Sequence, residues 1–317
     1  MTLKSNILAA LEQSREGAVS GQTLAERFGV SRNAVWKAVT ALREEGVPIE
    51  STQNRGYRLA AAHDRATAEG VGALLSETPL AVYAYDEVDS TNTQAKRLLA
   101  DGVPAPFLVV TEAQAAGRGR LGRAFFSPKG AGLYMTLALA PAQTVESALG
   151  VTAYAAVCVA EAVQAVCGRD LRIKWVNDLF LEGRKVCGIL TEATTDFETG
   201  TVESLLIGIG LNLRETDVPE ALQGIVGFIR PDGPVKNRLA ARIAQGLLAY
   251  DPHNHEHLAA YRARSLTLGR RVVATVQGNT VTGLAVDIDD TGSLLVRDGA
   301  GTVRTVRSGE ARFTDAD

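Results

Sequence analysis

The chain has 317 residues, 46% of them hydrophobic and 22% charged, with 33 Lys and Arg against 36 Asp and Glu for a formal charge of -3. That composition excludes a disordered chain, and at roughly 100 to 200 residues per domain the length predicts two or three domains with their own cores. Three cysteines, at 158, 167 and 187, without CxxC spacing exclude a disulfide framework and point to a reducing compartment, the cytoplasm.

The N-terminus lacks the apolar core of a secretory leader. The longest apolar region, Leu133 to Cys167, is interrupted by Pro141, Glu146 and Glu161, so no membrane span is expected. Charge is unevenly shared. Residues 1–62 hold eight basic and six acidic side chains, a surplus of +2, whereas the remainder sums to -5. A small basic module joined to a larger acidic one follows.

Leu3, Ile7, Leu8 and Leu11 fall on one helical face, with Gly17 as the expected stop. Ser20 precedes GQTLAERF, Gly29 and Val30 make a short turn, and Ser31 caps a further helix that Gly46 ends. Two helices across a tight glycine turn are a helix-turn-helix, and the second has two sides. Val35, Val39 and Leu42 form its apolar stripe. Ser31, Arg32, Asn33, Trp36 and Lys37 lie where a recognition helix meets base edges and phosphates. Pro48 to Leu59 reads as strand, Gln-Asn-Arg-Gly turn and strand, a wing that carries Arg55. A surplus of only +2 gives modest non-specific phosphate attraction, so useful affinity requires two copies on a two-fold symmetric site.

After a linker at Ala60 to His63, apolar strands alternate with helical stretches from 65 to 265, the pattern of an α/β core. Asp89-Ser90-Thr91-Asn92 falls between a strand at 81–88 and a helix at 93–100, a place for polar ligands or simply a helix cap. Gln114 then leads into Gly117-Arg118-Gly119-Arg120-Leu121-Gly122-Arg123, where glycines let guanidinium forks and backbone N–H groups converge on an anion. This is neither a P-loop nor a dinucleotide fingerprint. Lys174-Trp175-Val176-Asn177-Asp178 and Gly183-Arg184-Lys185 up to Gly188 read as strand, turn and strand, with two lysines flanking an Asn-Asp pair. Gly208, Gly210 and Asn212 close an apolar strand where backbone can approach closely. His253, His255 and His257 cannot all face one ion from a single helix, so no resident metal site is assigned, and Cys187 reads as a small core residue.

From Leu268 onward, short strands at 271–276, 281–288, 294–296 and 302–306 are separated by Gly278-Asn279, Asp290-Thr291-Gly292 and Asp298-Gly299, which predicts a small all-β domain. Its expected role is stability alone, a cap over a ligand, or a contact to a partner protein.

In this order, GRGRLGR, Lys-Trp-Val-Asn-Asp and the GRK segment running to Gly188-Ile189-Leu190 resemble the biotin protein ligase family over essentially the whole chain. The helix-turn-helix points to its bifunctional form, which joins the ligase to a repressor of biotin synthesis genes. The family's usual proline is Val176 here, and an aromatic that is commonly tryptophan is Phe125. The resemblance implies a multidomain α+β protein: a winged helix-turn-helix at 1–62, a class II synthetase-like mixed-sheet core at 65–265, and an SH3-like barrel at 267–317. It implies biotin plus MgATP giving biotinyl-5'-AMP, then transfer to a lysine of a biotin carboxyl carrier protein, with operator DNA as a second partner and homodimerisation on adenylate binding.

It also places Ser90, Thr91, Gln114 and Arg118 around biotin, with Asn92 among the binding residues, and it gives Arg118, Arg120 and Arg123 as the positive charge for the condensation and Lys185 as the contact to both carboxylate and α-phosphate. Gly117, Gly119, Arg120, Arg123, Lys174 and Lys185 fall near the reacting anions, and Gly188, Gly208, Gly210 and Asn212 along the adenylate. Asn177 and Asp178 fall at the phosphate, metal or incoming amine, with Asp178 a candidate base. Two other readings share parts of this pattern: a biotin-sensing repressor without turnover, and a lipoate or octanoate ligase on the same core fold.

Overall fold

The computed structural model describes residues 2–314 apart from 16, 53–54, 61–63, 76–77, 79, 141–142, 145–149, 196–200 and 277–278. The first half of the expected wing turn, most of the expected linker and Gly278 therefore lie outside the described residues, as do Pro141 and Glu146.

Helix α1 (Leu3–Gln13) starts where the Thr2 side chain accepts the Ser5 N–H, and it ends four residues before Gly17, with Ser14 as its C-cap donating its N–H to the Ala10 carbonyl. Helix α2 (Gly21–Phe28) is capped by Ser20 Oγ, which accepts the Thr23 N–H at 2.9 Å, and stops at Gly29 in the left-handed region. Helix α3 (Arg32–Glu44) is capped by Ser31 Oγ on the Ala34 N–H at 3.1 Å. Strands β1 (Ile49–Thr52) and β2 (Gly56–Leu59) pair antiparallel as the wing. Ile7, Leu11, Leu24, Val35, Val39, Leu42 and Leu59 form a separate core beneath them.

Helix α4 (Ala68–Leu74) packs on α1 and begins the central domain. The domain holds β3 (Ala81–Tyr85), α5 (Thr91–Ala100), β4 (Phe107–Thr111), β5 (Gly132–Leu139), β6 (Gln143–Thr144), α6 (Val151–Cys167) and β7 (Arg172–Lys174). It continues through β8 (Asp178–Leu181), β9 (Arg184–Thr195), β10 (Thr201–Asn212), α7 (Lys236–Leu248) and α8 (His257–Arg264). The strands form one mixed sheet in the order β3-β4-β5-β10-β9-β8-β7, with β6 on β10 and only β3 and β4 parallel. Both sheet faces are covered, and strand alternation explains how. Phe107 and Val109 pack with Ala95 of α5, while Leu108 and Val110 face α6 and α7.

The expected strand at 81–88 stops at Tyr85, because Val88 leaves the sheet to pair with the Ala113 and Ala115 backbone. The following helix accordingly starts at Thr91, two residues early.

The C-terminal segment is one antiparallel sheet of β11 (Arg271–Val276), β12 (Asn279–Ile288), β13 (Leu294–Arg297), β14 (Val303–Val306) and β15 (Glu310–Phe313), in the order β14-β13-β12-β11-β15. Its Val272, Ala285, Leu294 and Val306 belong to the same continuous core as the central domain. Trp175 binds the two together, donating its indole N–H to the Gly292 carbonyl at 3.0 Å and its backbone N–H to Thr267 Oγ1 at 2.9 Å.

The candidate active site

The arginine loop folds as a narrow hairpin. Phe125 N–H donates to the Gly117 carbonyl and Gly119 N–H to the Arg123 carbonyl, with Leu121 (φ 56°) and Gly122 at the tip. Gly117 serves this pinch: a Cβ there would stand 2.4 Å from the Phe125 carbonyl oxygen. The hairpin lies over β9 and β10, and the space between is a cavity of about 130 Å³.

All four cations expected to cooperate, Arg118, Arg120, Arg123 and Lys185, reach this one cavity. Ser90, Thr91, Asn92 and Gln114 line one part of it, and Gly119, Lys174, Asn177 and Asp178 another. Gly188, Gly208 and Gly210 form its sheet wall. Two expected residues do not line it. Gly117 is spent on the hairpin. Asn212, the last residue of β10, is buried at the strand's exit, where its carbonyl accepts the Ile229 N–H. Strand alternation places Gly208 and Gly210 on one face, and Asn212 lies one step beyond the cavity along it.

Each cation is already engaged. Arg118 pairs with Glu192 at 2.9 Å, Arg123 grips Glu310 with both terminal nitrogens at 3.0 and 2.6 Å, and Lys185 Nζ lies 2.7 Å from Asp178 Oδ1. The last contact is an ion pair off the hydrogen-bonding direction, and it leaves that buried oxygen without a hydrogen-bond donor. Arg120 donates to the Asn177 side chain at 3.2 Å and the Gly309 carbonyl at 3.0 Å. Burial pushes the Arg120 guanidinium below its ordinary value against the attraction of Asp178 and Glu310, whereas the Glu310 hydrogen bonds push Arg123 up. Cations held this way face one void and can exchange protein partners for incoming anions.

At the other end, Gln114 Oε1 accepts the Thr91 N–H at 2.9 Å and its amide donates to Ser127 Oγ at 2.8 Å. Ser90 occupies the N-cap of α5 without a side-chain cap bond and lines the cavity. Asn177 is locked by its amide donating to the Ile189 carbonyl at 2.9 Å.

Sequence reasoning missed Glu192, Glu310's pairing, Gly309 and Ala311. Gly188, Leu190 and Glu192 alternate along β9, so the strand periodicity carried a signal for Glu192. The wall contributed by Gly309, Glu310 and Ala311 comes from 187 residues beyond Arg123 and carried no local signal. Phe125 lies against Gly188 and Gly210, where a Cβ on Gly210 would sit 2.3 Å from its ring. Gly210→Ala is therefore expected to cost about 1–3 kcal/mol, the scale of overpacking, by displacing Phe125 from the cavity wall. Thermal melts check the effect.

Among the described residues no group of three or more His, Cys, Asp and Glu side chains is placed to hold a metal ion. His257 opens α8, and burial holds its imidazole below the usual range against its hydrogen bond to the Asn254 backbone. Cys187 is fully buried, and burial pushes its thiol up. No described helix is long and apolar enough to cross a membrane. On α3, Ser31, Arg32, Asn33, Trp36 and Lys37 are exposed, with Trp36 at 54%, and Arg55 is exposed in the wing turn.

Comparison with known proteins agrees with this layout. Residues 4–58 match a family described as HTH domain, 85–212 the Biotin/lipoate A/B protein ligase family, and 267–313 the Biotin protein ligase C terminal domain. The chain is 31% identical to the Bifunctional ligase/repressor BirA of Bacillus spizizenii, over 93% of this chain and 94% of that protein. The chain belongs to the biotin protein ligase family. Within the family, the Escherichia coli Bifunctional ligase/repressor BirA is 30% identical over 94% of both chains. A solved biotin protein ligase from Aquifex aeolicus, in complex with biotin and ATP, superposes with a TM-score of 0.60 at 25% identity, over 74% of this chain and 99% of its own. The core match alone spans biotin and lipoate ligases. The full-length relatives favour the biotin protein ligase with its repressor domain, so the chain is a biotin ligase that also carries a DNA-binding repressor module.

Proposed function

We propose that this cavity condenses biotin with ATP and then passes the biotinyl group to a lysine of a carboxyl carrier protein. The observation that carries the reading is the convergence of Arg118, Arg120, Arg123 and Lys185 on one void. A biotin carboxylate oxygen attacks the α-phosphorus of ATP, a phosphorus–oxygen bond forms, and the bond to pyrophosphate breaks. Two anions must be held in line against their repulsion, which needs concentrated positive charge. Lys185 bridges carboxylate and α-phosphate, while Arg120 and Arg123 hold the departing charge.

Ser90, Thr91, Gln114 and Arg118 take the ureido end, which needs donors and acceptors together, with Asn92 framing it from behind. Gly188, Gly208 and Gly210 admit the adenylate, and Gly119, Lys174 and Asn177 bound the phosphates. Mg²⁺ would come with ATP and supply charge neutralisation at the phosphates; Asp178, whose Oδ1 lies 2.7 Å from Lys185 Nζ, is the carboxylate that would hold it.

In the second step the carrier's lysine amine attacks the acyl carbon, the carbon–oxygen bond to AMP breaks, and the amine loses its proton, with Asp178 as acceptor only when it is free of its first-step partners. A mixed anhydride is already activated, so orientation and oxyanion stabilisation suffice. The C-terminal sheet, read as the family's SH3-like barrel on a class II synthetase-like core, caps the site through Gly309 to Ala311. Arg32, Asn33, Trp36 and Lys37 with the wing's Arg55 read operator DNA as a homodimer, and adenylate favours that dimer by ordering the loop over the sheet. Drainage of adenylate by carrier protein then releases the operator.

Incubation with labelled biotin, ATP and a carrier domain is expected to label the carrier lysine. Retention of label on the protein as adenylate, without transfer, would favour a sensing repressor, and transfer of octanoate or lipoate would favour the other ligase class. Ultracentrifugation with and without biotin and ATP tests the coupling, which equal dimerisation in both conditions defeats.

A further inference from the structure

We infer that Glu192 is a positioning residue for the biotin end of the cavity, holding Arg118 of the loop and Asn92 of α5 in fixed relation to each other. This deepens the assignment of biotin to that end and rests on it. Glu192 does not itself line the cavity; it acts through two residues that do.

Its carboxylate gathers donors from two separate elements. One oxygen accepts from Lys96 Nζ at 2.8 Å and from Arg118 at 2.9 Å, and the other accepts from the Asn92 amide at 2.7 Å. Asn92 is spoken for on every side. Its carbonyl oxygen accepts from Thr136 Oγ1 at 2.6 Å, its amide also reaches the Leu190 carbonyl at 3.3 Å, and a Cβ on Gly208 would stand 2.2 Å from that oxygen. Asn92 is thus part of the frame of the site, with Glu192 its anchor on β9.

Arg118 is different in kind, since it sits on a hairpin with its side chain 46% exposed. A single well-formed ion pair at its tip decides where an otherwise free guanidinium points. Burial raises the Glu192 carboxyl, but the hydrogen bonds of Lys96 and Asn92 with the charge of Arg118 outweigh it and hold it below the usual carboxylate range. Lys96, on the outer side, gives the carboxylate a second cation. The trio keeps a net +1 beside the pocket, so Arg118 keeps its attraction for an anion while Glu192 holds it in place.

The test is biotin-dependent ATP–pyrophosphate exchange with both KM values measured for Glu192→Gln, Lys96→Met and the double variant. Glu192→Gln is expected to raise the biotin KM by about tenfold, the scale of a lost charge-assisted bond, with the ATP KM within about twofold. Lys96→Met, a surface change that leaves folding intact, should move the biotin KM the same way by roughly threefold, and the double variant should be no worse than Glu192→Gln alone. Equal shifts in both KM values, no shift in either, or additive losses in the double variant overturn the inference. Thr91→Val and Gln114→Ala separate the two layers. If they raise the biotin KM and Glu192→Gln does not, only the Glu192 role fails; if they leave it unchanged, the assignment of biotin to this end fails.

Discussion

Replacing Lys185 by alanine is expected to lower ATP–pyrophosphate exchange by on the order of 10² to 10³, the scale of removing a positioned electrophilic contact. The backbone of Lys185 is clamped on both sides, its N–H donating to the Ile225 carbonyl at 2.9 Å and its carbonyl accepting the Gly227 N–H at 2.8 Å. Its side chain leaves a fixed strand position and ends 2.7 Å from Asp178 inside the cavity. The alanine variant loses attraction to both reacting anions and also leaves the Asp178 carboxylate facing them with its nearest cation gone. Repulsion is added to lost attraction, so the defect should appear in the adenylation step more than in transfer from preformed adenylate. An exchange rate within a few-fold of wild type excludes the role.

The largest expected effect on stability lies far from the reacting atoms. Lys236, 1% exposed at the start of α7, places Nζ 2.7 Å from Glu112, which also accepts the Ala66 N–H at 3.1 Å. Lys236→Met removes one partner of a buried ion pair and leaves the other uncompensated, a loss of about 3–5 kcal/mol. Adding Glu112→Gln should recover much of it by removing the stranded charge. Denaturant unfolding of the three variants checks this, and a Lys236→Met loss below about 1 kcal/mol would contradict it.

The same neighbourhood ties the DNA-reading module to the ligase core. Asp64 accepts the Val235 and Lys236 N–H groups at 2.8 and 2.9 Å. Asn237 accepts the Thr67 N–H at 3.0 Å and donates to Glu12 of α1 at 2.8 Å. Helix α1 is therefore docked on the core, where the sequence suggested only a linker.

The basic module was legible because its signals are local. Ser20, Gly29 and Ser31 act within a few residues of themselves, and the stripe of Val35, Val39 and Leu42 is set by helical periodicity. The arginine loop was legible as a cluster of cations among glycines, because that pattern lies within one short window. The shift of the α5 start to Thr91 was not, since it depends on Val88 pairing with Ala113 and Ala115 across the loop. The distance of Asn212 from the cavity was equally hidden, because strand alternation gives a face but not where along that face a site ends.

By itself, then, the amino-acid sequence determined which elements form, which faces they bury and where charge is clustered, for these follow from spacing and side-chain chemistry within short windows. Only the tertiary structure decided that Glu310, from the final strand, grips Arg123, that Glu192 restrains Arg118, and that Glu12 reaches Asn237. Those contacts join residues 187, 74 and 225 positions apart. Their partners are selected by how the sheet and helices pack, since a carboxylate in the sequence has no preferred cation until the fold brings one within reach.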